Sequence, residues 1–217
     1  MRSFYDLQVR EYEPQDYEVK GHWIENRFSN FKYLGHPVTY RNYTTKCLEL
    51  PFQAAKNPDA LVPDVLNPGN TKLVLWNDLV YKIGSPGRVR QIARPDRDGK
   101  CILPLREHYE CQNLACMDML LRQRWYPGTK DADWLFSRVR DDDEPIIEIS
   151  NWKDTRWGVD SETFTGRNAL GRLLSVIGNE LVYTGTVAPG APEEDWLKYQ
   201  PDLIEKLNGI NDGGIEV

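Results

Sequence analysis

The chain has 217 residues, of which 40% are apolar and 28% charged, and carries a net charge of −6. A chain of this size buries roughly 70% of the surface it exposes when unfolded, so a core forms without covalent staples. The acidic balance excludes a strongly basic nucleic-acid coat but leaves room for a local basic patch.

Residues 1–25 are polar and aromatic-flecked and read as a strand or ordered arm; their charged start, MRSFYDLQVR, is not expected to be a signal peptide. FSNFKYLGHPVTYRNY (28–43) reads as loop and short strand, most extended at Val38–Tyr40. Thr44 or Thr45 then caps a helix that FQAAK (52–56) propagates and Asn57-Pro58 stops. The spacing of Leu73, Leu75, Leu79, Val80 and Ile83 predicts a helix from about 71 that ends at Gly84. Residues 85–101 are basic and turn-rich, with Arg88, Arg90, Arg94 and Arg97 close together. The longest helical pattern is 106–128, with a short helix at 131–139 opened by Asp131 or Asp133. DDDEP (141–145) is a turn, and IIEIS (146–150) is the best candidate for a buried strand, with Glu148 inside its apolar run. A helix over 166–183 turns Leu170, Leu173, Leu174 and Ile177 inward, and a Gly/Pro-rich tail follows, with one short helix at 193–200 and then DLIEKLNG (202–209). Helices outnumber strands without alternating with them, which predicts a helix-rich α+β single domain with a few short strands. Residues 1–183 form its body, N-terminal arm included, and 184–217 a C-terminal extension.

No apolar run approaches the ~18 residues of a membrane span, so no membrane partner is expected. Cys47, Cys101, Cys111 and Cys116 lack C-x-x-C spacing, and only His22, His36 and His108 are there to join them. The expectation is free thiols, a cytoplasmic setting, and neither metal nor other cofactor. P-loop, dinucleotide-binding and nucleophile-elbow signatures are absent.

What remains is a set of polar residues in unusual places: Asn30, Glu49, Gln53, Lys56, Glu148, Asp154 and Asn168. On a continuous helix Glu49, Gln53 and Lys56 share one face. That face is either solvated or, because Leu48, Leu50, Phe52, Ala54 and Ala55 surround it, partly buried, with both pKa values moved toward neutrality. Pro51 disfavours helix at Leu50, and if Pro51 is the first helical residue Glu49 falls outside the shared face. In DTRWGVDSETFTGRNALGRLL (154–174), Trp157 and Gly158 precede a helix that Asn168 opens. Trp157 is either folded back on the core or the wall of a pocket that stacks a ring and holds a phosphate.

FSNF (28–31), LELPFQAAK (48–56), MDMLLRQRW (117–125), the strand-borne Glu148, and D-x-x-WGV with G-x-N-x-LG-x-LL (154–174) stand in the order seen in the YbiA-like NADAR superfamily, which the chain resembles over about residues 28–177. Leu50-Pro51 replaces the family's His-aromatic pair after the glutamate, and Asp160-Ser161 its glycine-rich turn after the tryptophan.

The resemblance implies a YbiA-like fold and an N-glycosidase that needs no metal. It would hydrolyse a ribose C1–N bond in a phosphorylated N-riboside, such as ADP-ribose linked to guanine in nucleic acid or a phosphoribosylamino intermediate of riboflavin synthesis. Glu49 is then the acid/base. Lys56 stabilises phosphate or leaving group, or condenses with an opened ribose as an imine. Asp154 orients water or ribose hydroxyls, and Trp157 is the stacking wall. Gly158 and Gly166 let the backbone come close, and the helix after Asn168 offers N–H groups to phosphate. Asn30, Gln53 and Glu148 complete the substrate contacts, and Arg88, Arg90 and Arg94 are phosphate clamps or a solvated basic loop. The alternative function is a module that binds ADP-ribose or a nucleotide without turnover.

Overall fold

A computed structural model describes residues 2–12, 30, 33–94, 102–141, 146–150 and 154–210. FSNF, apart from Asn30, and the turn expected at 141–145, apart from Asp141, lie outside the described residues, as do Cys101 and His22. The chain is a helix-rich α+β protein, as its apolar spacing implied. Its contacts gather into two compact units, one formed by Met1–Ser29 with Glu110–Val217 and the other by Asn30–Tyr109. The larger unit opens with a 3₁₀ turn, Phe4–Asp6, and strand β1, Arg10–Glu11.

The smaller unit begins with a hairpin of β2 (Tyr33–Tyr40) and β3 (Tyr43–Cys47), paired Val38 to Thr45, Thr39 to Thr44 and Tyr40 to Tyr43. The sequence reading put a helix cap at Thr44 or Thr45; both lie in β3 instead. Their β-branched side chains suit a pleated surface better than a helix start. Helix α1 (Glu49–Ala54) follows at once. Pro51 is its third residue, where a missing N–H leaves no ladder bond unmade, so Glu49 is helical after all.

Strands β4 (Leu61–Pro63) and β5 (Leu73–Leu75) pair antiparallel, and helix α2 (Trp76–Ile83) starts only after them. The helix expected from about 71 is thus five residues shorter, because Leu73–Leu75 find strand partners. It ends at Gly84, as expected. The basic segment read as turn-rich holds helix α3 (Pro86–Ile92), with Pro86 at its first position, where proline's fixed φ suits a helix. Leu48, Val62, Trp76, Leu79, Val80 and Val89 are completely buried and make this unit's core. Each large apolar side chain among them contributes about 1.5–3 kcal/mol.

In the larger unit helix α4 (Asn113–Arg124) is shorter than the 106–128 pattern, since Tyr109–Cys111 forms a separate 3₁₀ turn. Helix α5 (Lys130–Asp141) is opened by Thr129, whose Oγ1 accepts the Ala132 N–H at 3.1 Å, not by Asp131 or Asp133. Strand β6 is only Ile149–Ser150, although Ile146 and Ile147 before it are buried. With β7 (Val159–Asp160) and β8 (Thr165–Gly166) it makes a sheet of order β1-β8-β7-β6, in which β6 and β7 alone are parallel. Helix α6 (Ala169–Thr184) turns Leu170, Leu173, Leu174 and Ile177 inward, as its spacing required.

Helix α7 (Trp196–Gly209) continues through Pro201, past the end of the one short helix expected at 193–200. The lost ladder bond is offset by burial of Trp196, Leu203, Ile204 and Leu207 against the rest of the unit. Gln200 beside the proline adds to this. Its Oε1 accepts the Leu114 N–H at 2.9 Å and the Ala115 N–H at 3.4 Å, supplying from α7 the cap that Gln112, at the start of α4, does not give. No described helix is long and apolar enough to cross a membrane.

Candidate functional site

In the smaller unit Glu49 and Gln53 stand one helical turn apart, with 5% and 3% of their surface exposed. Gln53 Nε2 donates to Glu49 Oε1 at 2.6 Å. Both ends of this pair are fixed by backbone bonds. Glu49 N–H donates to the Asn30 carbonyl at 2.8 Å, and the Gln53 carbonyl accepts Trp76 Nε1–H at 2.8 Å. Burial pushes the Glu49 pKa above the ordinary carboxyl value. The Gln53 amide and the charges of Arg90, Lys56 and Arg94 pull it down without cancelling that effect. The result is a buried carboxyl that keeps its proton to higher pH than a surface glutamate.

Lys56 lies two residues beyond the end of α1, so the shared helical face stops at Gln53. It is half-buried, and its carbonyl accepts the Arg106 N–H at 3.0 Å. Arg90 is half-buried on α3, while Arg88 and Arg94 are exposed. Because the segment is a helix and not a loop, α3 fixes where Arg88 and Arg90 stand. Asn30, expected to touch substrate, contributes its carbonyl to the start of α1 and accepts the Cys47 thiol at 3.2 Å.

The larger unit gathers Glu148, Asp154, Trp157, Gly158 and Asn168. Asp154 Oδ1 accepts the N–H groups of Arg156 at 3.3 Å and Trp157 at 3.4 Å, an Asx-type turn that sets the loop, and the Arg156 guanidinium lies 3.7 Å away. Trp157 is half-buried, with its ring meeting the buried Phe4 edge-to-face. On the segment that leads into β6, Ile147 and Ile149 pack with Tyr12 and Val159, and Glu148 stands between them.

Three expectations for this loop are corrected. Gly158 and Gly166 do bring backbone close, but to backbone: a Cβ on Gly158 would strike the Glu148 carbonyl, and one on Gly166 the Gly158 carbonyl. The start of α6 does not offer its first N–H groups to a phosphate. Ala169 N–H donates to the Arg156 carbonyl at 3.3 Å and Leu170 N–H to the Trp157 carbonyl at 3.0 Å. Asn168 does not cap α6 with its side chain. It sits in the left-handed region at φ 46°, and its buried amide bonds the backbone at Ile146 and Glu148.

The sequence reading missed two groups. Arg156 is the cation beside Asp154, and Phe4 is the ring beneath Trp157. The aromatic pair in SFYDL was the one visible signal for Phe4, which the fold alone brings to Trp157, whereas Arg156 stands two residues from Asp154. Among the described residues no three His, Cys, Asp or Glu side chains gather as a metal centre. No family model matches the chain, and neither a curated protein nor a solved structure is significantly similar to it.

Proposed function

We propose that the chain is an N-glycosidase that hydrolyses the ribose C1–N bond of a phosphorylated N-riboside, such as ADP-ribose linked to guanine or a phosphoribosylamino compound. The observation that carries this reading is Glu49: a buried carboxyl whose pKa that burial raises, with Gln53 bonded to one oxygen and the charges of Arg90, Lys56 and Arg94 acting on it. The motif resemblance around LELPFQAAK supports it. Breaking the C1–N bond leaves positive charge on the ribose and negative charge on the departing nitrogen. Glu49 gives its proton to that nitrogen, water adds to C1, and the proton released by the water returns the carboxyl to its acid form. The arginines and Lys56 bind the substrate phosphates.

A cytoplasmic setting goes with this reading, since Cys47, Cys111 and Cys116 form no disulfide. The test is incubation with DNA carrying ADP-ribosylated guanine and, separately, with a phosphoribosylaminopyrimidine. Released ribose product, lost in Glu49→Gln, is expected. Tight binding of ADP-ribose with no release from either substrate would replace the enzyme by a binding module.

A further inference from the structure

The Gln53 amide is half-used. Its Nε2 is committed to Glu49, while its Oε1 is buried and accepts no hydrogen bond. Buried acceptors are normally satisfied, and an exception in a folded protein calls for a ligand, a water or a role. The side chain is not loosely placed. The Gln53 carbonyl holds both the Trp76 indole N–H and the Lys56 N–H at 3.3 Å, so the root of the side chain is fixed. Nε2 is the end that faces the carboxyl, donating to Glu49 Oε1 at 2.6 Å. Oε1 is therefore the buried, unpaired end of an amide whose other end is held by Glu49.

We infer that Gln53 is the positioning residue of the Glu49 acid: its N–H holds Oε1 of the carboxyl, which leaves the proton on Oε2, and its own Oε1 accepts an N–H or O–H of the bound N-riboside. The inference rests on the reading of Glu49 as proton donor. Through one amide, substrate and acid are then held in a single geometry, and the ligand must present a donor next to the bond that breaks. A ligand with only acceptors at that point would leave Oε1 unmatched and bind poorly.

Gln53→Met keeps the side-chain length and removes both bonds. Because the Gln53 amide pulls the Glu49 pKa down, its loss raises that pKa further. The expected result is kcat/KM lowered at least about tenfold, with the alkaline limb of the pH profile moved to higher pH. A folded Gln53→Met with wild-type rate and an unmoved limb overturns the inference. Should that variant not fold, nitrogen-15 NMR of the wild-type chain decides. The Gln53 side-chain NH₂ signals are expected to shift as Glu49 titrates and again on adding ADP-ribose, and signals indifferent to both overturn it. The two readings fail separately. Full turnover in Glu49→Gln removes the proposed acid itself, whereas an inactive Glu49→Gln beside an unaffected Gln53→Met removes only the bridge.

Discussion

Asn168 clasps the chain at Glu148. Its Oδ1 accepts the Glu148 N–H at 3.0 Å, and its Nδ2 donates to the Ile146 carbonyl at 2.8 Å. Asn tolerates the left-handed conformation found here better than most residues, and its short amide matches one donor and one acceptor on the extended segment. Asn168→Ala leaves both backbone groups unsatisfied, at about 1–3 kcal/mol each. The expected result is a urea midpoint lowered by the equivalent of about 2–6 kcal/mol. Asn168→Asp keeps the acceptor but sets a carboxylate against the Ile146 carbonyl, and is expected to be no more stable than the alanine variant.

Trp157 and Phe4 meet with ring centroids 5.0 Å apart at 69°, an edge-to-face contact. Phe4 is completely buried, so Phe4→Ala is expected to cost about 3–5 kcal/mol. Trp157 is only half-buried, so part of its surface is exposed. Trp157→Ala is expected to weaken ADP-ribose binding by the stacking contribution, about 1–3 kcal/mol, and to lower the melting temperature less than Phe4→Ala. Calorimetric unfolding and titration on the folded protein separate the two effects. Lost stability with unchanged affinity would make Trp157 a core residue only.

Glu49→Gln is expected to fold and bind while losing about 10²–10⁴ in turnover, the scale of a general acid. The same variant reads the carboxyl's effect on stability. A pKa raised in the folded state means that the folded chain holds a proton the unfolded chain has lost. That contribution is complete below the unfolded value of 4.5 and disappears as pH rises through the higher folded value. The melting temperature of wild type relative to Glu49→Gln is therefore expected to fall with rising pH above about 4.5. Other carboxyls cancel in this difference. A flat difference would mean that Glu49 titrates like a surface glutamate.

These residues also mark how far the sequence could be read. The helices carried by long apolar stripes, α6 above all, were legible because the period of Leu170, Leu173, Leu174 and Ile177 is local information. Glu49 was legible too, as a carboxylate in an apolar segment. What failed was the choice between strand and helix where apolar runs are short. Leu73–Leu75 and Thr44–Thr45 became strands through partners elsewhere in the chain, at Leu61–Pro63 and Val38–Thr39. The loop at Asp154–Asn168 failed for a related reason. Its glycines and helix start looked open to a ligand, but Glu148 and the carbonyls of Arg156 and Trp157 fill those places.

The buried ion network of α4 gives a prediction independent of any ligand. Arg122 Nε donates to both oxygens of the completely buried Asp118, at 3.0 and 2.9 Å, and its NH1 donates to Glu180 at 2.7 Å and to the Ala188 carbonyl at 3.1 Å. Burial works against the Arg122 cation, but Asp118 and Glu180 outweigh it and push its pKa up. Arg122→Ala leaves Asp118 buried without its cation and is expected to cost about 3–5 kcal/mol in chemical denaturation. Asp118→Asn with Arg122→Met, which removes both charges at similar volume, is expected to recover most of that loss. A double variant as unstable as Arg122→Ala would mean that packing, not charge, sets the cost.

Lys56 separates two chemistries for the proposed enzyme. It lies just beyond α1, half-buried, and its charge acts on Glu49. A neutral lysine amine attacks the C1 aldehyde of a ring-opened ribose; water leaves, and the imine carries the ribose on the protein. Borohydride delivers hydride to that imine and fixes it as a secondary amine. Treatment of the chain with ADP-ribose and borohydride is expected to add the corresponding mass, more at higher pH, where more of the amine is neutral. Lys56→Arg keeps the charge but cannot form the imine, so it is expected to abolish the adduct. A Lys56→Arg variant that stays active, with nothing trapped on the wild-type chain, would confine Lys56 to holding phosphate. An adduct that peptide mapping places on a different lysine would move the nucleophile there.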